Sequence, residues 1–143
     1  MRRFTYHSVQ LLALAGLLAS GLASGAQAAD SCTNSSLRGS YGAVLTGTAI
    51  NVGPFATVAV VTFNGAGAWS YTESGSFNGN PIPHQTLTGS YSVTPQCSGS
   101  AIDSAGNTLD FVIVSKGNEV LMVGTGPGTV FTVALKKISG SND

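Results

Sequence analysis

The chain has 143 residues, six basic against six acidic side chains, and only 8% charged residues, where roughly 25% is usual for a soluble domain. It is too short for a (β/α)8 barrel, which takes about 250 residues, and it predicts a single domain. A formal charge of zero without a Lys/Arg cluster argues against a nucleic-acid binder, whose affinity is dominated by phosphate neutralisation.

Residues 1–29 read as a cleaved export signal. Arg2 and Arg3 supply the positive start, residues 11–22 form an apolar run of Leu, Ala and Gly, and Ala26-Gln27-Ala28 fits the small-x-small cleavage pattern. The run is shorter than the ~20 apolar residues that span a bilayer, and no later segment comes close. The expected product, residues 30–143, is therefore secreted or periplasmic, with no stable membrane insertion. After cleavage, Arg38, Lys116, Lys136 and Lys137 face Asp30, Glu73, Asp103, Asp110, Glu119 and Asp143, a net charge of −2. Such a weak field steers no partner. Cys32 and Cys97 both survive cleavage, form no C-x-x-C pair, and lie far from His84 in sequence, so a disulfide in an oxidising compartment is the default reading. It closes a loop of about 65 residues, for which chain entropy suggests ~4 kcal/mol.

From residue 37 onward the pattern has period 2 between turn signals, with no 3.6-residue stretch. Residues 37–49 place Tyr41, Ala43 and Leu45 on one face, before the breaker Asn51-Val52-Gly53-Pro54. Residues 56–63 are apolar on both faces, as in a strand covered on both sides or lining an interface. Asn64-Gly65-Ala66-Gly67 is a hairpin signal, since Asn and Gly accept positive φ. Residues 68–77 then set Trp69, Tyr71, Glu73 and Phe77 against Ser and Thr. After the breaker Asn78-Gly79-Asn80-Pro81, residues 85–94 put Leu87, Gly89, Tyr91 and Val93 together. Shorter strands follow at 97–103, 109–115, 119–123 and 129–138, each preceded by a Gly- or Pro-containing turn.

Eight short strands with no helix to cover them must bury one face by closing or by folding into two layers. Closure also removes exposed edges. The predicted fold is all-β, a small antiparallel up-and-down barrel of about eight strands, with a β-sandwich as the alternative. Its interior is filled by side chains or holds one small ligand. Leu37-Arg38-Gly39-Ser40-Tyr41 returns as Leu87-Thr88-Gly89-Ser90-Tyr91, consistent with a duplicated half-barrel in which Gly allows close approach and Tyr packs inward.

Several motifs together carry a resemblance: Cys-x-x-x-x-Leu-x-Gly-x-Tyr (Cys32, Leu37, Gly39, Tyr41), Gly-Pro-Phe at Gly53, Thr-Phe-Asn-Gly-x-Gly from Thr62 to Gly67, and Gly-x-Tyr-x-Val-x-x-x-Cys-x-Gly from Gly89 to Gly99. With the export signal, the chain resembles a family of small exported bacterial β-barrel proteins. The motifs are turn and packing residues, so the resemblance implies a fold and no activity. More distantly the chain is similar to lipocalin-type calycin barrels, whose first strand carries Gly-x-Trp where this one has Gly39-Ser40-Tyr41.

Catalytic motifs are missing from the sequence: no G-x-S-x-G, no H-E-x-x-H, no P-loop and no dinucleotide fingerprint before a helix. No cofactor or metal is expected. Gly124-Thr125-Gly126-Pro127-Gly128 reads as a loop, having no helix behind it to hold phosphate. His84, after Pro81-Ile82-Pro83, reads as a solvated loop residue. Glu73 is the most informative position, because its parity matches Trp69, Tyr71 and Phe77. A rim or outward carboxylate is favoured, since a bulge at Gly75 would flip its face. An internal hydrogen bond and a ligand or catalytic role are the alternatives. Asp103 and Asp110 are not linked to it by spacing, and Asp110 alternates with apolar neighbours toward solvent.

Tyr41, Trp69, Tyr71, Glu73 and Tyr91 are thus the candidate ligand-binding set, weighed against plain core packing of the aromatics. The expected function is a non-enzymatic exported barrel binding a small apolar or amphipathic ligand, or an extracellular partner, through one mouth. A cyclase- or isomerase-like enzyme using Glu73 and a structural surface protein without a pocket are the alternatives. An interior below about 300 Å3 would remove the ligand readings and leave the structural surface protein.

Overall fold

A computed structural model describes residues 31–138; the expected signal segment, residues 1–29, and its cleavage site lie outside them. Eight strands run β1 (Arg38–Ala49), β2 (Gly53–Asn64), β3 (Ala68–Phe77), β4 (Asn80–Val93), β5 (Ser98–Asp103), β6 (Thr108–Val114), β7 (Glu119–Gly124) and β8 (Thr129–Lys137). Each pairs antiparallel with its neighbour in sequence, and β8 returns to β1, so the sheet is a closed up-and-down barrel. The sandwich alternative is excluded by the β1–β8 pairing, whose register runs from Tyr41 opposite Lys137 to Ala49 opposite Thr129. Period-2 alternation is what makes closure work: every second side chain turns inward, and the interior becomes the core.

The two ends of the barrel differ. Along β1, Tyr41 and Ala43 are buried while Leu45 and Ala49 are half-buried; along β2, Phe63, Val61, Ala59 and Thr57 are buried and Phe55 is half-buried. The sealed end carries the N-terminal segment, where a 3-10 turn, Asn34–Ser36, delivers Leu37 into the core with no exposure. Tyr91 Oη donates to Leu37 O at 3.0 Å and lies 3.1 Å from Asn34 O, and Tyr41 Oη donates to Gly117 O at 2.6 Å. Phe63 meets both tyrosine rings edge-on, at centroid distances of 5.4 and 5.2 Å. The Cys32–Cys97 disulfide, with Cα atoms 5.0 Å apart, ties the segment to the β4–β5 turn. This bridge fits an oxidising compartment; among the described residues no helix is long and apolar enough to cross a membrane.

Both copies of the internal repeat place Gly opposite a large ring. Gly39 faces Phe63 and Gly89 faces Trp69. A Cβ on Gly89 would come within 2.4 Å of Trp69 Nε1 and 2.2 Å of Ile102 O, so Gly there is a requirement of close approach.

Two features depart from the sequence pattern. The stretch 80–84, read as a breaker and a loop, belongs to β4. Only Gly89–Val93 of β4 pairs with β5, so the first half of β4 has a free edge, where Pro81 and Pro83 lose no ladder hydrogen bond. Strand β2 is not covered on both sides: Val58 and Val60 are exposed, as is their neighbour Val44 on β1.

Candidate functional site

Glu73 lies inside. Its inward parity with Trp69 and Tyr71 on β3 is kept, and it is 8% exposed. The bulge anticipated at Gly75 exists, but its extra residue belongs to β4: Glu73 pairs with Gln85 while Gly75 pairs with Ile82. The favoured rim or outward reading of Glu73 is therefore corrected, because the irregularity is absorbed by the partner strand and not by β3. Gln85 Nε2 donates to Glu73 Oε1 at 2.7 Å, a charge-assisted bond that repays part of the desolvation of the carboxylate. His84, at the same bulge, is an exposed strand residue.

Asp103, which spacing did not link to Glu73, faces the same cavity. It ends β5 and organises the turn into β6: its Oδ1 accepts from the backbone N–H groups of Ala105 and Asn107, both at 2.9 Å. Its Oδ2 accepts from Asn107 Nδ2 and from Tyr71 Oη, both at 2.8 Å. Four donors saturate this buried carboxylate. Burial, the bond to Asp103, and the negative charges of Asp103 and Glu73 raise the Tyr71 phenol far above its ordinary value, so it remains a neutral donor. A sequence signal for Asp103 did exist, namely its parity with inward Ala101 and the Asp-Ser-Ala-Gly-Asn turn it opens.

These groups line an interior cavity of about 150 Å3 that runs toward the open end of the barrel. Trp69, Tyr71, Phe55, Phe77 and Phe131 form its aromatic walls, with Leu45, Leu109 and Met122 between them. Phe55 and Phe77 stack at 4.7 Å, and Trp69 and Tyr71 at 5.1 Å. Of the five sequence candidates, Trp69, Tyr71 and Glu73 are brought together on this wall. Tyr41 and Tyr91 are set apart in the sealed end, where their hydroxyls serve backbone carbonyls. Phe55, Phe131 and Asn107 were not singled out by sequence pattern, because they come from strand ends and a turn that only closure brings together.

The volume is half of the ~300 Å3 threshold for the ligand readings, so the expected ligand is corrected to none of ordinary pocket size. Aromatic side chains fill the rest, and a lipid-sized occupant of the lipocalin kind does not fit. An apolar cavity of this size accommodates a molecule of about benzene's dimensions. Among the described residues, no three His, Cys, Asp or Glu side chains are grouped as a metal ion would require. Compared with family models, curated proteins and solved structures, the chain matches none of them.

Proposed function

We propose that this protein is an exported binding barrel that takes one small ring-sized molecule, with an apolar body and a hydrogen-bond donor, through the mouth opposite the disulfide. The observation that carries this reading is a carboxylate, Glu73, that accepts only one protein hydrogen bond among the described residues, set with the saturated Asp103 in an otherwise largely apolar and aromatic cavity wall. A wall meant only for packing gains nothing from a buried carboxylate, which costs stability unless it is paired. The aromatic faces supply area for the apolar body, and Glu73 supplies an acceptor that orients it.

Trp69 is the only tryptophan of the chain, so intrinsic fluorescence reports directly on the cavity. Titration of the exported protein with one-ring compounds is expected to give saturable quenching, with dissociation constants on the order of 0.1–1 mM for so few atoms. Ala59→Leu, which fills space directly opposite Glu73, should abolish it. Unsaturable quenching, or quenching that survives Ala59→Leu, overturns the reading. Catalysis by Glu73 on the bound molecule is the second reading, favoured by its place in the wall. It predicts turnover that Glu73→Gln removes without loss of binding.

A further inference from the structure

The polar groups of the cavity are unequally satisfied. Asp103 is saturated by four donors, whereas among the described residues Glu73 accepts only from Gln85, through Oε1. Its second oxygen, Oε2, has no hydrogen-bond partner there. The cavity lining holds these two carboxylates and no Lys, Arg or His. The one salt bridge among the described residues, Lys136 to Glu119, is on the outer surface at 3.5 Å. The interior thus concentrates acidic groups with no fixed cation to answer them, and Glu73 Oε2, unlike Thr57 Oγ1, is not sealed off from what enters the cavity.

A second observation falls close to the same wall. Thr57 is 3% exposed, and its Oγ1 has no hydrogen-bond partner. It lies on the inward row of β2, two residues from Ala59, which pairs with Glu73. Buried hydroxyls in native proteins are nearly always paired, so an orphan of this kind asks for an explanation. Thr57 itself does not line the cavity, whose wall beside Glu73 is formed on β2 by Phe55, Ala59 and Val61, so the orphan hydroxyl sits behind that wall and the carboxylate of Glu73 is the group that meets a ligand.

We infer that the ligand is a small organic cation, a primary ammonium on a compact ring or alkyl body, held by Glu73 with its charge against the aromatic walls. This rests on the cavity reading above and names its ligand class. An ammonium supplies N–H donors to the free carboxylate oxygen, and the aromatic ring of Tyr71, which stacks on Trp69, attracts it further. Its apolar body fills the space between Phe55, Phe131 and Met122. An anion would meet Asp103 and Glu73 with no compensating group, and a neutral molecule would leave the charge of Glu73 unanswered.

Trp69 fluorescence with benzylamine, benzyl alcohol and benzoate, three ligands of one shape and different charge, tests this in the unaltered protein. Benzylamine is expected to bind at least tenfold more tightly than benzyl alcohol, and benzoate not at all. In Glu73→Gln, benzylamine should fall to the level of benzyl alcohol, whose own affinity stays within about twofold. Equal binding of the alcohol and the amine overturns the ammonium inference while leaving the cavity reading intact. Saturable binding by none of the three, nor by toluene, overturns the cavity reading itself. The comparison in the unaltered protein decides the matter even where Glu73→Gln fails to fold.

Discussion

Tyr71 Oη donates to Asp103 Oδ2 at 2.8 Å, joining the middle of β3 to the end of β5 over the intervening strand β4. The two residues are far apart in sequence, and the pairing of β3 and β5 on either side of Gly89 makes them neighbours. Tyr71→Phe removes this donor while the ring and the other three donors to Asp103 remain. A hydrogen bond to a charged group contributes about 1.5–3 kcal/mol, so Tyr71→Phe should lose that much stability, read from urea unfolding.

Alkaline pH should destabilise the fold through the same phenol. Burial is the main cause that raises both Tyr71 and Tyr91 above the ordinary value of 10.0. The unfolded chain therefore releases these protons first. Their contribution is fully present below pH 10 and is lost as pH rises through the folded values. Denaturant midpoints measured across this range should hold steady below pH 10 and decline above it, with a smaller decline in Tyr71→Phe.

Reduction of Cys32–Cys97, which are 65 positions apart in sequence, should cost ~4 kcal/mol, less any strain released. The loss should begin at the sealed end, because the bridge holds the segment that delivers Leu37 to the core. Hydrogen exchange after mild reduction should show residues 33–41 losing protection before β6 and β7.

Gly89→Ala places a methyl group against Trp69 Nε1 and the carbonyl of Ile102. Backbone cannot yield cheaply there, so a loss of about 1–3 kcal/mol is expected, together with a shift in Trp69 emission. The same substitution at Gly42, whose Cβ would meet nothing within 4 Å, should leave the emission unchanged.

Thr57→Val removes the unpaired hydroxyl while keeping nearly the same shape. Because an unsatisfied buried hydroxyl costs about 1–3 kcal/mol, this substitution should stabilise the ligand-free protein by roughly 1 kcal/mol or more. An unchanged or lower urea midpoint would contradict the hydroxyl being unpaired.

Much of this was legible along the chain, because a strand exposes its facing pattern locally. Tyr41 with Ala43, Trp69 with Tyr71, and Leu87 with Gly89 and Tyr91 announce their shared faces at every second residue. The Asn-Gly turns announce where the chain reverses. The Cys32–Cys97 pair was readable from counting alone, there being no other cysteine to compete. Pro81 and Pro83 misled for a physical reason: they break a ladder only where two neighbours need their N–H, and the free edge of β4 makes no such demand.

Period-2 patterning therefore determined about eight strands, most of their inward residues and the need to bury one face, by a closed barrel or by two layers. Which inward residues meet was decided by the tertiary structure alone, since a barrel's interior neighbours come from strands across the ring and not from adjacent positions. The placing of the bulge on β4 kept Glu73 inside, the turn after β5 carried Asp103 to Tyr71, and a plug at one end left the space at the other. Those depend on register and closure, which no local stretch of this chain encodes by itself.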